Sequence, residues 1–206
     1  MPTLYDIKPR FQALLRPLVA RLAAAGVTAN QITAGATILS LAGGALCLLT
    51  PGNRSVLGVI AALLAIRMGL NAIDGMLARE HDQKSRAGLI FNEVGDLVSD
   101  AGLYLPLGVA LQPLGVSAWA LVVFAFAAVL AEFAGVLGPH LGVARRYDGP
   151  MGKSDRAIAI AIILTLLALG APGGAWVSAI IALMTILALW TALRRARAIL
   201  DESAPR

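Results

Sequence analysis

The apolar residues of this chain gather in blocks of about 20, a length that crosses a bilayer as a helix, and no other feature limits its possible folds so strongly. The blocks cover roughly 32–50, 55–79, 87–111, 116–139, 156–171 and 174–193. Between them lie Pro51-Gly52-Asn53, Gln112-Pro113, Gly149-Pro150 and Gly170-Ala171-Pro172-Gly173, which carry the helix-stopping residues. Composition agrees: 58% of residues are hydrophobic and 14% charged, whereas soluble domains run near 45–50% and 25%. The expected fold is all-α, one integral membrane domain over 1–206 with six transmembrane helices.

Charge sets the expected orientation. Lys8, Arg10, Arg16 and Arg21 precede the first block; Arg79, Lys84 and Arg86 lie between the second and third. Arg145, Arg146, Lys153 and Arg156 lie between the fourth and fifth, and Arg194, Arg195, Arg197 and Arg206 follow the last. The three remaining loops hold Arg54 alone. Under the positive-inside rule both termini and the two basic loops are cytoplasmic, which requires an even number of crossings of the inner membrane. The same rule accounts for nearly all of the +5 net charge, so nucleic acid is not an expected partner.

The first 30 residues lack the continuous apolar core of a secretion signal. Over about 5–25, Phe11, Leu14, Leu15, Leu18 and Leu22 recur at helical spacing, with Lys8, Arg10, Gln12, Arg16 and Arg21 on the polar side. That pattern suits an amphipathic helix lying on the membrane surface, or one packed on the rest of the protein. The single cysteine, Cys47, rules out an intrachain disulfide.

Polar residues inside the apolar blocks are the informative ones: Arg67, Asn71 and Asp74 in the second, Asn92, Glu93, Asp96 and Asp100 in the third, Glu132 in the fourth. A charge at mid-membrane costs at least about 2.5–3.5 kcal/mol, so each needs a function or a partner. Asn71 and Asp74 lie about 60° apart on one helix face, and Asn92, Asp96 and Asp100 step by about 40° each on another. Two such faces from consecutive helices can converge on one cavity. Carboxylate and amide oxygens gathered there suit Mg²⁺ or Mn²⁺, the usual cations of phosphate chemistry. The alternative is that these groups only pair with Arg67 or cap buried backbone. For Glu132, an ion pair with Arg67 is the expected role.

The segment Asn71-x2-Asp74-Gly75-x2-Ala78-Arg79-x8-Gly88-x3-Asn92-x3-Asp96 resembles the signature of the CDP-alcohol phosphotransferases, D-x2-D-G-x2-A-R-x8-G-x3-D-x3-D, at every spacing. Val27-Thr28-Ala29-Asn30-Gln31-Ile32-Thr33 is similar to the family's T-x-N-x-I-T segment before the first span. The resemblance implies six spans, an interfacial N-terminal helix, cytoplasmic termini and a homodimer. In the family four aspartates hold two divalent metals, and the fourth is the proposed base. Here the first and third are Asn71 and Asn92, as in a divergent bacterial branch. Each amide keeps an oxygen donor and loses the charge, which lowers metal affinity and leaves one ion or two open, with Glu93 and Asp100 as reserves of negative charge.

By the same resemblance, Asp74, Gly75, Ala78, Arg79 and Gly88 bind the nucleotide, and Asp96 both binds metal and activates an alcohol. Attack on the CDP-linked donor, CDP-diacylglycerol or another CDP-alcohol, then releases CMP and makes a phosphodiester lipid. Arg146, Lys153 and Arg156 are placed to bind a phosphate on an acceptor such as glycerol phosphate or inositol phosphate. A membrane protein that binds lipid or nucleotide without turnover is the rival reading. A transporter fits less well, because the polar residues cluster at the cytoplasmic side and not at the midplane.

Overall fold

The computed structural model describes residues 4–203. Arg206 and the side chain of Lys8 lie outside the described residues. The described chain is helical throughout: α1 (Leu4–Ala24), α2 (Ala29–Leu49), α3 (Arg54–Glu80), α4 (Arg86–Leu111), α5 (Ala118–Val136), α6 (Lys153–Ala168) and α7 (Ala175–Ser203).

Polar side chains start the helices. Thr28 Oγ1 accepts from the Gln31 N–H (3.3 Å) while Gln31 Oε1 accepts from the Thr28 N–H (2.9 Å), a capping box that opens α2. Asn53 and Ser85 cap α3 and α4 by accepting from the Val56 and Gly88 N–H groups. These caps fall where the first three apolar blocks begin.

Among the described residues five helices, α2, α3, α4, α5 and α7, are long and apolar enough to cross a membrane. The sixth expected span is the short one. Its helix, α6, has 16 residues, a rise of about 24 Å against a hydrocarbon core of about 30 Å. Residues 169–171 of the expected block leave the helix for the turn before α7.

In the bundle α2 lies against both α3 and α4, α4 against α5, α5 against α7, and α3 against α6. Leu64, Leu107, Phe124, Leu164 and Ile181, one from each of five helices, are fully buried at its centre. The outside is apolar too, with Leu49, Trp119, Leu169 and Ile186 exposed, as lipid contact requires.

Small residues bring α2 and α4 together. A Cβ on Gly44 would fall on the Gly102 carbonyl oxygen, and one on Gly95 would meet Thr33 Cγ2 at 3.0 Å. Gly44→Leu is therefore expected to lower the melting temperature of the detergent-purified protein by several degrees. Gly35→Leu, where a Cβ meets nothing within 4 Å, should leave it unchanged.

Helix α1 rests on α3, with Val19 buried and Leu15 and Leu22 half-buried against Ile73, Met76 and Leu77. Phe11, Leu14 and Leu18 stay exposed on its other side. One half of the expected apolar stripe packs on the protein, and the other half is free.

Candidate functional site

Asp74 is where α2, α3 and α4 meet. Its carboxylate is 4% exposed, and its Oδ2 accepts from Thr33 Oγ1 of α2 (3.0 Å) and from Asn92 Nδ2 of α4 (3.2 Å). One turn beyond Asn92, half-buried Asp96 is in contact with the ammonium of Lys153, the first residue of α6. Asn71 is half-buried one turn before Asp74. A small cleft of about 90 Å³ between α4 and α5, lined by Glu93, Asp96, Leu97, Glu132, Phe133 and Val136, opens beside Asp96.

The rest of the motif has local reasons for its residue types. The exposed Arg79 guanidinium folds back over Gly75, where an added Cβ would meet both terminal nitrogens at 3.1 Å. At Gly88 a Cβ would meet Ser85 Oγ at 2.8 Å and Asn30 Oδ1 at 3.1 Å, so glycine lets α4 start against the head of α2. Ala78 faces α1 at the edge of the cluster around Val19 and Leu77. Gln83 ties this region to the start of α2, accepting from the Ala29 N–H (2.6 Å) and donating to the Val27 carbonyl (3.2 Å).

Behind the two aspartates runs a buried chain of ion pairs. Arg67 of α3 meets Asp100 of α4 at 2.6 Å, Asp100 meets Arg156 of α6 at 3.2 Å, and Arg156 meets Glu132 of α5 at 2.9 Å. Glu132 is shared with Arg145 (3.4 Å) and with Arg195 of α7 (3.7 Å), and Arg145 is also in contact with Glu93. Arg195 donates to the Ala131, Tyr147 and Asp148 carbonyls, fixing the loop before α6. Arg67 Nη2 points to the Asp96 carbonyl at 3.4 Å. Unlike Glu132, Asp100 has only Arg67 and Arg156 as ion-pair partners among the described residues.

This arrangement changes several expectations. Glu132 pairs with Arg156, Arg145 and Arg195 instead of Arg67, and α5 packs chiefly on α4 and α7. Asp100 pairs with Arg67 and Arg156, and Glu93 with Arg145. Arg156 is fully buried on Asp100 and Glu132, so it has no free face for an acceptor phosphate. Arg146 is half-exposed between Asp148 and Glu202, both at 2.9 Å. Hydrogen bonding to Asp148, and then its charge, holds the Arg146 guanidinium above its ordinary pKa.

Two residues of the site escaped the sequence reading. Thr33 ends the T-x-N-x-I-T segment, and that placement was its one signal. Arg195 sits among the basic residues after the last block, where charge bias masks any special role.

Among the described residues no three His, Cys, Asp or Glu side chains converge on a point that would hold a metal. The carboxylates of Asp74 and Asp96 and the amide oxygens of Asn71 and Asn92 are the donor types a hard divalent cation takes, but Asn92 turns its amide nitrogen to Asp74 here.

An apolar exterior and five helices long and apolar enough to cross a membrane, with an aspartate, lysine and arginine cluster at one end, define a polytopic membrane protein. The chain belongs to the CDP-alcohol phosphatidyltransferase family, which it matches over residues 26–194. It is 42% identical over 202 residues to the inner membrane protein YnbA of Escherichia coli (strain K12), covering 98% of each chain. Its fold is similar to that of Mycobacterium tuberculosis phosphatidylinositol phosphate synthase (PgsA1) with CDP-DAG bound, at a TM-score of 0.72 and 18% identity over 92% of this chain and 96% of that one. The same enzyme in complex with manganese and citrate gives 0.72 at 18% identity, over 92% and 91%.

Proposed function

We propose that this chain transfers a substituted phosphate from a CDP-linked donor, CDP-diacylglycerol, to an alcohol, releasing CMP, at the cytoplasmic face of an inner membrane. The observation that carries the reading is the Asp74 carboxylate of α3 bonded to Asn92 of α4, one turn from the Asp96–Lys153 pair, with a guanidinium folded over Gly75. CDP-DAG and manganese in the structures of PgsA1 support the donor and the type of cation. The name of the Escherichia coli relative supports the membrane.

In this reading the chain is one domain that crosses the membrane six times, with α6 a short crossing and both termini cytoplasmic. It works as a homodimer. The free face of α1, with Phe11, Leu14 and Leu18, lies in the lipid interface. Arg79 binds the donor pyrophosphate, and Gly75, Ala78 and Gly88 leave the backbone open to the nucleotide. Bound at Asp74 and Asp96, with Asn71 and Asn92 as neutral donors, Mg²⁺ or Mn²⁺ supplies charge stabilisation to the phosphates. Asp96 takes the proton of the acceptor hydroxyl. The acceptor oxygen bonds to the phosphorus that carries the lipid, the bond from that phosphorus to the bridging oxygen breaks, and CMP leaves. Arg146 and Lys153 stand on the acceptor side, where an acceptor phosphate would bind.

The test is CMP release by the full chain in nanodiscs with Mn²⁺ or Mg²⁺, CDP-diacylglycerol and a pool of alcohols. Release that needs both the acceptor and the metal, and stops with a chelator, is expected. The asparagines at 71 and 92 favour one other reading, a protein that binds CDP-linked lipid without turnover. CDP-diacylglycerol binding with no CMP release would establish that reading in place of the transferase.

A further inference from the structure

We infer that the carboxyl-terminal end of α7 carries a binding site for one anionic phospholipid, held by Trp190, Arg194 and Arg197 and separate from the site around Asp74 and Asp96. The inference does not rest on the proposed transferase reading.

A cleft of about 300 Å³ lies along this end of α7, lined by Trp190, Arg194, Arg197, Ala198 and Asp201. At 100° per residue these five fall within about 100° of the helix circumference, with Arg197 two turns beyond Trp190 and Arg194 between them. Continued backwards, the same face carries Leu183 and Ile186, both exposed. One stripe therefore passes from aliphatic side chains through an indole to two guanidiniums. A phospholipid presents its acyl chain, its interfacial region and its phosphate in the same order.

The arginines of this segment have different fates. Arg195 is buried and donates to the Ala131, Tyr147 and Asp148 carbonyls. Arg194 and Arg197 are exposed, and among the described residues neither has an ion-pair partner; Asp201 shares the cleft without pairing with them. Two guanidiniums against one carboxylate leave a single positive charge, which a phosphodiester with a single negative charge balances and a zwitterionic lipid does not. The planar guanidinium fork matches phosphate oxygens, and basic clusters at the end of a spanning helix attract anionic headgroups. Ala198, one turn beyond Arg194, keeps the cleft open because its side chain is a single methyl. The apolar track through Trp190, Ile186 and Leu183 selects a lipid over a soluble phosphate.

The test uses the tryptophan in the site. Of the three tryptophans, Trp119→Phe with Trp176→Phe in the full chain leaves Trp190 as the sole indole, and the protein is placed in phosphatidylcholine nanodiscs with a minor share of tail-brominated lipid. Brominated phosphatidylglycerol is expected to quench Trp190 with an apparent affinity at least about fivefold above that of brominated phosphatidylcholine or phosphatidylethanolamine, roughly the gain from one basic residue near an anionic surface. Arg194→Gln with Arg197→Gln should abolish the preference. So should Ala198→Leu, which fills the cleft without changing its charge. Lys84→Gln with Arg86→Gln removes equal charge from exposed positions at the start of α4 and should leave the preference intact. Melting temperatures check that every variant folds. Equal quenching by the three lipids, or a preference that survives the Arg194 and Arg197 variant or Ala198→Leu, would overturn the inference. An equal loss in the Lys84 and Arg86 variant would overturn it too, by reducing the effect to diffuse surface charge. Displacement of the brominated lipid by glycerol phosphate in solution would assign the cleft to a soluble phosphate instead.

Discussion

Asp100→Ala should destabilise the folded protein by about 3–5 kcal/mol, because it leaves Arg67 as a buried charge with no carboxylate partner. Arg67 is 3% exposed and pairs with Asp100 at 2.6 Å, and its Nε has no acceptor among the described residues. Water cannot replace the lost partner at that depth, so the loss should appear as a large fall in melting temperature and poor recovery from detergent. The double variant Arg67→Leu with Asp100→Leu removes both charges and should regain most of the loss. If Asp100 were instead a metal ligand, Asp100→Ala would leave the melting temperature of the metal-free protein near wild type and weaken Mn²⁺ binding. Arg16→Ala is a suitable control: its pair with Glu80 is solvent-exposed, and its loss should not register.

Asp96→Asn is expected to reduce CMP release by about 10²–10⁴, the usual contribution of a general base. Asp96 is half-buried at the edge of the bundle with Lys153 as its ion-pair partner, so the substitution leaves no deeply buried charge stranded. The fold and CDP-diacylglycerol binding should persist. A variant that keeps wild-type turnover would move the base elsewhere, and one that loses donor binding along with turnover would make Asp96 a binding group.

Much of this architecture was legible in the chain because lipid imposes length and polarity rules on each segment separately. The expected block 87–111 becomes α4 (Arg86–Leu111), and 55–79 becomes α3 (Arg54–Glu80). The end of α7 was not legible: the helix runs to Ser203, well past the last apolar residue of its block, since Arg194, Arg195 and Arg197 are good helix formers in water. Spacing also brought Asp74 and Asp96 into view, because helical periodicity decides which residues share a face. It could not assign partners. Whether Arg67 meets Glu132 or Asp100 depends on which helices are neighbours, and α3 lies chiefly against α2 and α6. The same limit hid the reason Arg156 is consumed inside the bundle while Lys153, three residues earlier, reaches Asp96.

The shortness of α6 has a consequence for the membrane itself. In the proposed six-span reading, a crossing of 16 residues would leave several ångströms of hydrocarbon without a matching wall, and the bilayer yields more cheaply than a packed helix stretches. The two leaflets around α6 would then be drawn together, with headgroups there deeper than the bulk surface and Lys153 at the cytoplasmic end of that dimple. A two-tailed donor would then present its phosphates at the depth of the aspartates while both tails remain among their neighbours, so the lipid need not be lifted out of its leaflet to react.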